Sequence, residues 1–129
     1  MFTLEQIKLA HSKVKSEADF PAYIKEIKGL GVSHYETFVV DGHINYFGAK
    51  NYLVEVPAKY EPIAIAKTTD ILKFSSELKA HQQGKTDFLT FIKMCADTGI
   101  EKWKISMKEM TCAYFNIDGE KVLVESIPQ

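Results

Sequence analysis

The sequence predicts an α+β domain made of two tandem αα-βββ units with pseudo-twofold symmetry, whose helices pack on a mostly antiparallel sheet. Three observations carry this prediction: helix start and stop signals, alternating strand segments joined by Asp-Gly turns, and self-similarity of the chain at a spacing of 68 residues. The chain has 129 residues, of which 46% are hydrophobic, so it can form one core and we expect one domain.

The first unit begins with two helices. Thr3 and Gln6 form a capping box that starts a helix, which we expect to reach about Ser16. Asp19 is predicted to cap a second helix, and Gly31 can take the positive φ that ends it. The Asp-Gly pair at positions 41 and 42 then predicts a two-residue hairpin turn. The three strands are predicted from Val32 to Val40, from His43 to Phe47 and from about Tyr52 to Val56.

The second unit follows the same order of elements. A helix that contains Ile71 and Leu78 on one face is stopped by Gly84, and Thr86 is predicted to cap a further helix to about Thr98. An Asp-Gly pair at positions 118 and 119 joins the last two strands. The three strands are predicted from Glu101 to Met107, from Thr111 to Asn116 and from Lys121 to Glu125.

A shift of 68 residues aligns the two units without a gap. Aligned residues share a structural role, because acidic residues favour helix starts, glycine permits a helix end and an aromatic side chain anchors the next strand. The aligned pairs are Asp19 with Asp87, Tyr23 with Phe91, Ile24 with Ile92, Gly31 with Gly99 and Tyr35 with Trp103. We therefore divide the domain, residues 1–129, into repeat one (about 1–56), a connector (about 57–67) and repeat two (about 68–129).

Composition narrows the classes of partner and the cellular location. The 16 basic and 17 acidic residues nearly cancel to a net charge of -1, and every basic residue is lysine, which argues against nucleic-acid binding. The chain has neither a secretory apolar segment nor a transmembrane run, so we expect a cytoplasmic protein without membrane contact. Cys95 and Cys112 stand outside any CxxC pattern, which predicts reduced, buried thiols.

Catalytic and metal-binding signatures are missing from the sequence. The segment from Gly84 to Thr86 lacks the earlier glycine of a phosphate-binding loop and links two predicted helices. With a two-residue turn, His34 and His43 lie about six strand residues, or about 20 Å, apart, which is too far for one metal ion. The motifs GxSxG and HExxH do not occur. We therefore predict no catalytic residue, no metal ligand and no cofactor.

One face of the predicted sheet departs from the usual alternation. From Trp103 to Met107 the second repeat alternates between a core face and a face of lysine and serine. The 68-residue shift then assigns Tyr35, Thr37 and Val39 to the core, which leaves aromatic side chains on the opposite face. These residues are our candidate ligand or partner surface: His34, Glu36, Phe38, Asn45 and Phe47. Either the connector around residues 60–66 folds over this surface, or the surface binds a ligand, a partner or a second copy of the protein.

Two functional hypotheses remain open. The first is a non-enzymatic binding or interaction protein that uses the candidate surface, with a protein partner or as a homodimer, and the missing catalytic motifs favour it. The alternative is a small-molecule-binding protein or an enzyme with a pocket at the junction of the two halves, where His34, Glu36 and Tyr35 would be the first residues to test. A thermal-shift screen separates the two, because a ligand of the native state raises the melting temperature.

Seven stretches of the sequence carry a resemblance to a known family. They read DFPAYI, GVSHYETFVVDGH and NYFG in the first half, and KYEP, LKAHQQGKTDF, GIEKW and MTCAYF in the second. Along nearly its whole length the chain resembles the YbcV-like family of bacterial and prophage proteins of unknown function. Some members of that family carry the label phage envelope protein. The resemblance implies a bacterial or prophage origin, and it brings no known activity, cofactor or catalytic residue with it.

Overall fold

A computed structural model describes residues 2–15 and 17–127, and in these it shows four α-helices and one six-stranded antiparallel sheet. The helices are α1 (Leu4–His11), α2 (Phe20–Leu30), α3 (Ile71–Gln82) and α4 (Phe88–Asp97). The strands are β1 (His34–Phe38), β2 (Ile44–Phe47), β3 (Leu53–Val56), β4 (Ile100–Ser106), β5 (Thr111–Asn116) and β6 (Lys121–Ser126). The predicted α+β class is confirmed.

The six strands form one continuous sheet in the order β3-β2-β1-β4-β5-β6, so that β1 and β4 meet at its centre. Across this central seam the paired residues are Tyr35 with Ile105, Glu36 with Lys104 and Thr37 with Trp103. Under the 68-residue shift, Lys104 is the counterpart of Glu36, and Trp103 is the counterpart of Tyr35. A twofold axis through the Glu36–Lys104 pair would produce this register. The tandem relation of the two units stays a prediction, which the register supports.

The helices pack on one face of the sheet and form a single hydrophobic core with it. Tyr35, Thr37 and Val39 are buried on the helix-covered face, as the 68-residue shift predicted. Both cysteines are buried, as predicted. Across residues 2–15 and 17–127, no helix combines the length and the apolar character needed to cross a membrane.

The start of α1 follows the sequence signal, but its end does not. Thr3 Oγ1 accepts a hydrogen bond from the Gln6 amide at 3.2 Å, and Gln6 Oε1 accepts one from the Thr3 amide at 2.8 Å, so the capping box is confirmed. The helix ends at His11 instead of near Ser16, which lies outside the described residues. The amide of Val14 bonds to the carbonyl of His11, and this turn replaces the expected further turns of helix.

Two helix caps differ from the prediction. Asp19 is the N-cap residue of α2, as predicted, but its carboxylate accepts a hydrogen bond from the Lys15 amide at 2.9 Å in the preceding turn and forms no cap bond to the helix. The N-cap of α4 is Asp87, whose Oδ1 accepts from the Thr90 amide at 2.8 Å, and not Thr86. A carboxylate suits the positive end of the helix dipole better than a hydroxyl does.

The hairpin between β1 and β2 has a longer turn than predicted. The Phe38 amide donates to the His43 carbonyl at 3.0 Å, so the loop holds the four residues from Val39 to Gly42. Asp41 Oδ1 accepts from the His43 amide at 3.0 Å, which fixes the loop as an Asx-type turn. The pairing therefore moves by two residues, and every side chain of the hairpin keeps its predicted face.

Candidate functional site

The candidate surface lies on the side of the sheet away from the helices, which we call the outer face. Across β1 and β2, His34 pairs with Phe47 and Glu36 pairs with Asn45, while Phe38 follows on the same face of β1. All five side chains are partly exposed. The structure therefore brings these residues together, and their role in binding remains a proposal.

Two stacked pairs of rings flank the middle of the candidate surface. The ring of His34 lies 4.5 Å from that of Phe47 at an angle of 11°, and the ring of His43 lies 4.2 Å from that of Phe38 at 6°. Burial lowers the pKa of His34, and the nearby Lys104 lowers it further. The neutral imidazole is thus favoured in the His34–Phe47 stack.

A lysine from the second half of the chain, Lys102, contacts residues in the middle of the outer face. Lys102 Nζ is 2.5 Å from Glu36 Oε2, and it lies 5.6 Å from the ring centre of Phe38 and 5.4 Å from that of Phe115. On β2, opposite Glu36, Asn45 Oδ1 is buried and has no hydrogen-bond partner within the part of the chain that the structure describes. The contacts of the candidate surface therefore extend across both halves of the sheet.

The connector passes the β1–β2 loop and then α4, so it runs on the side of the sheet that the helices cover. The Ile63 amide donates to the Val40 carbonyl in the β1–β2 loop, and the Ala66 amide donates to the Ala96 carbonyl in α4, each at 2.8 Å. The side chains of Ile63 and Ile65 pack against the core. This path leaves the five side chains of the candidate surface partly exposed, so covering by the connector does not explain their aromatic character.

The histidines of the hairpin do not share a site. His34 pairs with Phe47 and His43 lies opposite Phe38, so the two are four positions, or about 13 Å, apart along the strands. This distance is shorter than the predicted one because of the longer turn, and it is still too long for one metal ion. In the described residues, 2–15 and 17–127, no three His, Cys, Asp or Glu side chains come together as a metal site.

A cavity of about 380 Å³ lies on the helix-covered face, above β4, β5 and β6, and we call it the junction cavity. Its aromatic lining residues are Phe20, Tyr35, Phe91, Trp103 and Tyr114. Phe20 and Tyr35 belong to the first half and the other three to the second, so the cavity lies where the two halves meet. Of the residues predicted for a junction pocket, Tyr35 lines this cavity, whereas His34 and Glu36 lie on the outer face.

Trp103 lies between Phe91 and Tyr114, and we call these three rings the aromatic wall of the cavity. The ring centre of Trp103 lies 5.7 Å from that of Phe91 and 6.3 Å from that of Tyr114, at interplanar angles of 58° and 51°. The imidazole of His81 stacks on Phe91 at 4.2 Å, and its Nδ1 is 2.9 Å from Thr86 Oγ1. The mutually inclined rings present both faces and edges to a bound molecule.

A carboxylate stands beside the aromatic wall. Gln82 Nε2 donates to the two carboxylate oxygens of Glu125 at 3.0 and 3.1 Å, and the Tyr114 hydroxyl donates to Oε1 at 3.2 Å. Burial raises the pKa of Tyr114, and Cys112 and Glu125 raise it further, so the phenol keeps its proton. Two neutral donors therefore orient Glu125 without neutralising it.

Sequence reasoning predicted a pocket at the junction of the two halves but missed most of the residues that line it. It assigned Trp103 to the core and gave Glu125 no role. The available signal is that Glu125 pairs with Cys112 and so shares the helix-covered face, where a carboxylate is unusual. That signal depends on the strand register, because the apolar run at positions 122–124 shows no alternation.

Comparison with known proteins identifies the family. A family model described as a protein of unknown function, DUF1398, matches residues 8–126 of the chain. The chain belongs to the DUF1398 family. No curated protein matches it at a significant level. The matched segment of this DUF1398 protein includes the whole candidate surface and the aromatic wall and carboxylate of the junction cavity.

Proposed function

We propose that this DUF1398 protein is a non-enzymatic binding protein that takes a small, mainly apolar molecule into the junction cavity. One observation carries the proposal: an aromatic wall around Trp103 stands beside Glu125, a carboxylate held by two neutral donors. Pockets for small molecules have volumes of about 300–1,000 Å³ and combine an apolar lining with a few oriented polar groups. The junction cavity, at about 380 Å³, has this size and this composition.

The ionisable groups near the cavity support binding more than covalent catalysis. Burial raises the pKa values of Tyr35 and Tyr114, and it also raises the pKa of the Cys95 thiol. Phenols and thiols attack as nucleophiles in their deprotonated forms. These three groups keep their protons at neutral pH, so none of them is a phenolate or thiolate nucleophile, which favours binding.

We also propose a bacterial or prophage origin and a cytoplasmic location. The resemblance to YbcV-like proteins supports the origin. The low cysteine content supports a reducing compartment, because the 129-residue sequence has two cysteines, whereas small secreted domains usually carry more of them, in disulfides.

A small molecule in the junction cavity should raise the melting temperature and change the emission of Trp103. Trp103 is the sole tryptophan of the chain, so its fluorescence reports on this cavity without interference from another indole. A ligand that binds only the folded state adds about 2.7 kcal/mol of stability at about 100 times its Kd. A thermal-shift screen of small metabolites, followed by fluorescence titration of each hit, measures both effects.

Two neighbouring glutamines provide a matched pair of variants for this screen. Gln82 lines the cavity and Gln83 does not, although both are exposed at the end of α3. The substitution Gln82→Phe should weaken binding of a hit about tenfold, because the ring narrows the cavity and the bond to Glu125 is lost. Gln83→Phe should bind as the wild type does. Equal binding by both variants, or a screen without any hit, would contradict the proposal.

The outer face supports a second candidate function, which is self-association. Glu36 and Lys102 pair with each other within the chain, which leaves Glu55 on β3 in the first half and Lys104 on β4 in the second half for contacts with another molecule. Two copies that meet face to face about an axis parallel to the strands would set the acidic half of one over the basic half of the other. We therefore propose a second copy of this chain as the occupant of the outer face.

Replacing Phe38 and Phe47 together by serine should raise the Kd of self-association about tenfold or more and leave the fold largely intact. Both rings are partly exposed, so their loss removes contact area without opening the core. Analytical ultracentrifugation over a range of concentrations measures the association, and a thermal melt checks the fold. Leu72→Ser, at a side chain on α3 that is 85% exposed, is the control and should associate as the wild type does. Unchanged association of the double variant, or a collapse of its melting temperature, would count against this candidate.

A further inference from the structure

The lining of the junction cavity has an acidic character. Glu125 contributes a carboxylate, and among the described residues the lining includes no lysine. The imidazole of His81 also lines the cavity, but it is engaged by the Phe91 ring and by Thr86 Oγ1. A molecule that enters this cavity therefore meets ring faces and one oriented negative charge.

We propose that the junction cavity binds a small apolar amine, with the ammonium group on Glu125 and the apolar group against Trp103 and Phe91. The inference deepens the proposed function and rests on it. A volume of about 380 Å³ suits an amine that carries one ring or an aliphatic group of similar size.

Glu125 has room for a further donor. Its Oε1 accepts hydrogen bonds from Tyr114 and Gln82, and its Oε2 accepts one from Gln82. A carboxylate offers about four acceptor positions, so these bonds leave about one, on Oε2. An ammonium N–H at that position would form a charge-assisted hydrogen bond, which is stronger than a bond from a neutral donor.

The aromatic wall favours a positively charged ligand, as the carboxylate of Glu125 does. Tyr114 joins the two features, because its hydroxyl binds Glu125 and its ring centre lies 6.3 Å from that of Trp103. The faces of aromatic rings attract cations within about 6 Å of the ring centre, and indole attracts them most strongly. A carboxylate ligand would be repelled by both features, whereas a neutral ligand would gain only the apolar contact.

Three probes with one phenyl group and different charges test this inference: phenethylamine, phenethyl alcohol and hydrocinnamate. Trp103 emission, excited where the probes do not absorb, gives each Kd, and the melting temperature provides a second measurement. We expect the amine to bind about tenfold more tightly than the alcohol, and the acid to bind most weakly. Glu125→Gln should bring the amine and the alcohol to within about twofold of each other. Glu109→Gln, at an exposed carboxylate in the turn between β4 and β5, should keep the preference for the amine.

The outcomes separate this inference from the proposal on which it rests. Equal affinities for the amine and the alcohol, or a preference that survives in Glu125→Gln, would overturn the inference and leave binding in the cavity intact. If none of the three probes changes the Trp103 emission or the melting temperature, both the inference and the cavity proposal fail. The series in the unmodified protein decides the question even if Glu125→Gln does not fold.

Discussion

Replacing Gly99 by alanine is expected to destabilise the protein by about 3–5 kcal/mol, through backbone strain and overpacking together. Gly99 follows α4 with φ at +86°, and an added Cβ would lie 2.7 Å from the Thr68 carbonyl oxygen and 3.0 Å from Thr69 Cα. Those atoms cannot simply move away, because the Asp70 amide is bonded to the Thr98 carbonyl at 3.0 Å. Urea unfolding followed by circular dichroism measures the loss.

The aligned glycine of the first repeat is the control for Gly99→Ala. Gly31 also has a positive φ, at +110°, but the nearest atom to an added Cβ is Cδ2 of the Phe2 side chain at 3.8 Å. Gly31→Ala should therefore add strain alone and cost about 1–2 kcal/mol. Domains of this size have total stabilities of about 5–15 kcal/mol, so the two variants should differ clearly in their unfolding midpoints. Equal losses at both positions would contradict the steric argument.

Replacing Phe74 by alanine is also expected to cost about 3–5 kcal/mol. Phe74 has no exposed surface, and its ring meets that of Tyr114 edge to face with 5.0 Å between the centres. The start of this helix is tied to the end of α4, because the amide of its N-cap residue Asp70 donates to the Thr98 carbonyl at 3.0 Å, so α3 cannot easily close the void. Chemical unfolding measures this loss as well.

Leu72 provides a control on the same helix as Phe74. Leu72 is 85% exposed, so Leu72→Ala removes little buried surface and should change the stability by less than about 0.5 kcal/mol. A loss below about 1 kcal/mol in Phe74→Ala would mean that the core refills the space, against the packing described here. A large loss in Leu72→Ala would show that the effect belongs to the helix as a whole and not to Phe74.

Local signals in the sequence were sufficient for most of the fold. The Thr3–Gln6 capping box and the glycines at helix ends depend on contacts within a few residues, so one segment of sequence contains both partners. The β1–β2 turn depends on distant residues. Tyr60 in the connector donates its hydroxyl proton to the Val39 carbonyl at 2.6 Å, and the Lys59 amide donates to the Asp41 carbonyl at 2.8 Å. An Asp-Gly pair is compatible with both a two-residue and a four-residue turn. The contacts with the connector stabilise the four-residue turn.

The two candidate sites differ in how far the sequence could predict them. The grouping of His34, Phe38 and Phe47 follows from the two-residue period of a strand, which a register error of two residues leaves unchanged. No periodic pattern in the sequence indicates which residues line the junction cavity. It exists where side chains from both halves meet without filling the space between them, and the charge of Glu125 enters it only through the pairing of β6 with β5.

At the centre of the sheet, β1 and β4 pair with each other, so neither is free to pair with a strand of another chain. Either half alone would present one of these strands as a bare edge, with free amides and carbonyls that readily pair with another chain. In the whole sheet the edges are β3 and β6, and β3 has only four residues and is followed by Pro57, which lacks an amide proton. Joining the two halves in one chain therefore guards each of them against edge-to-edge aggregation.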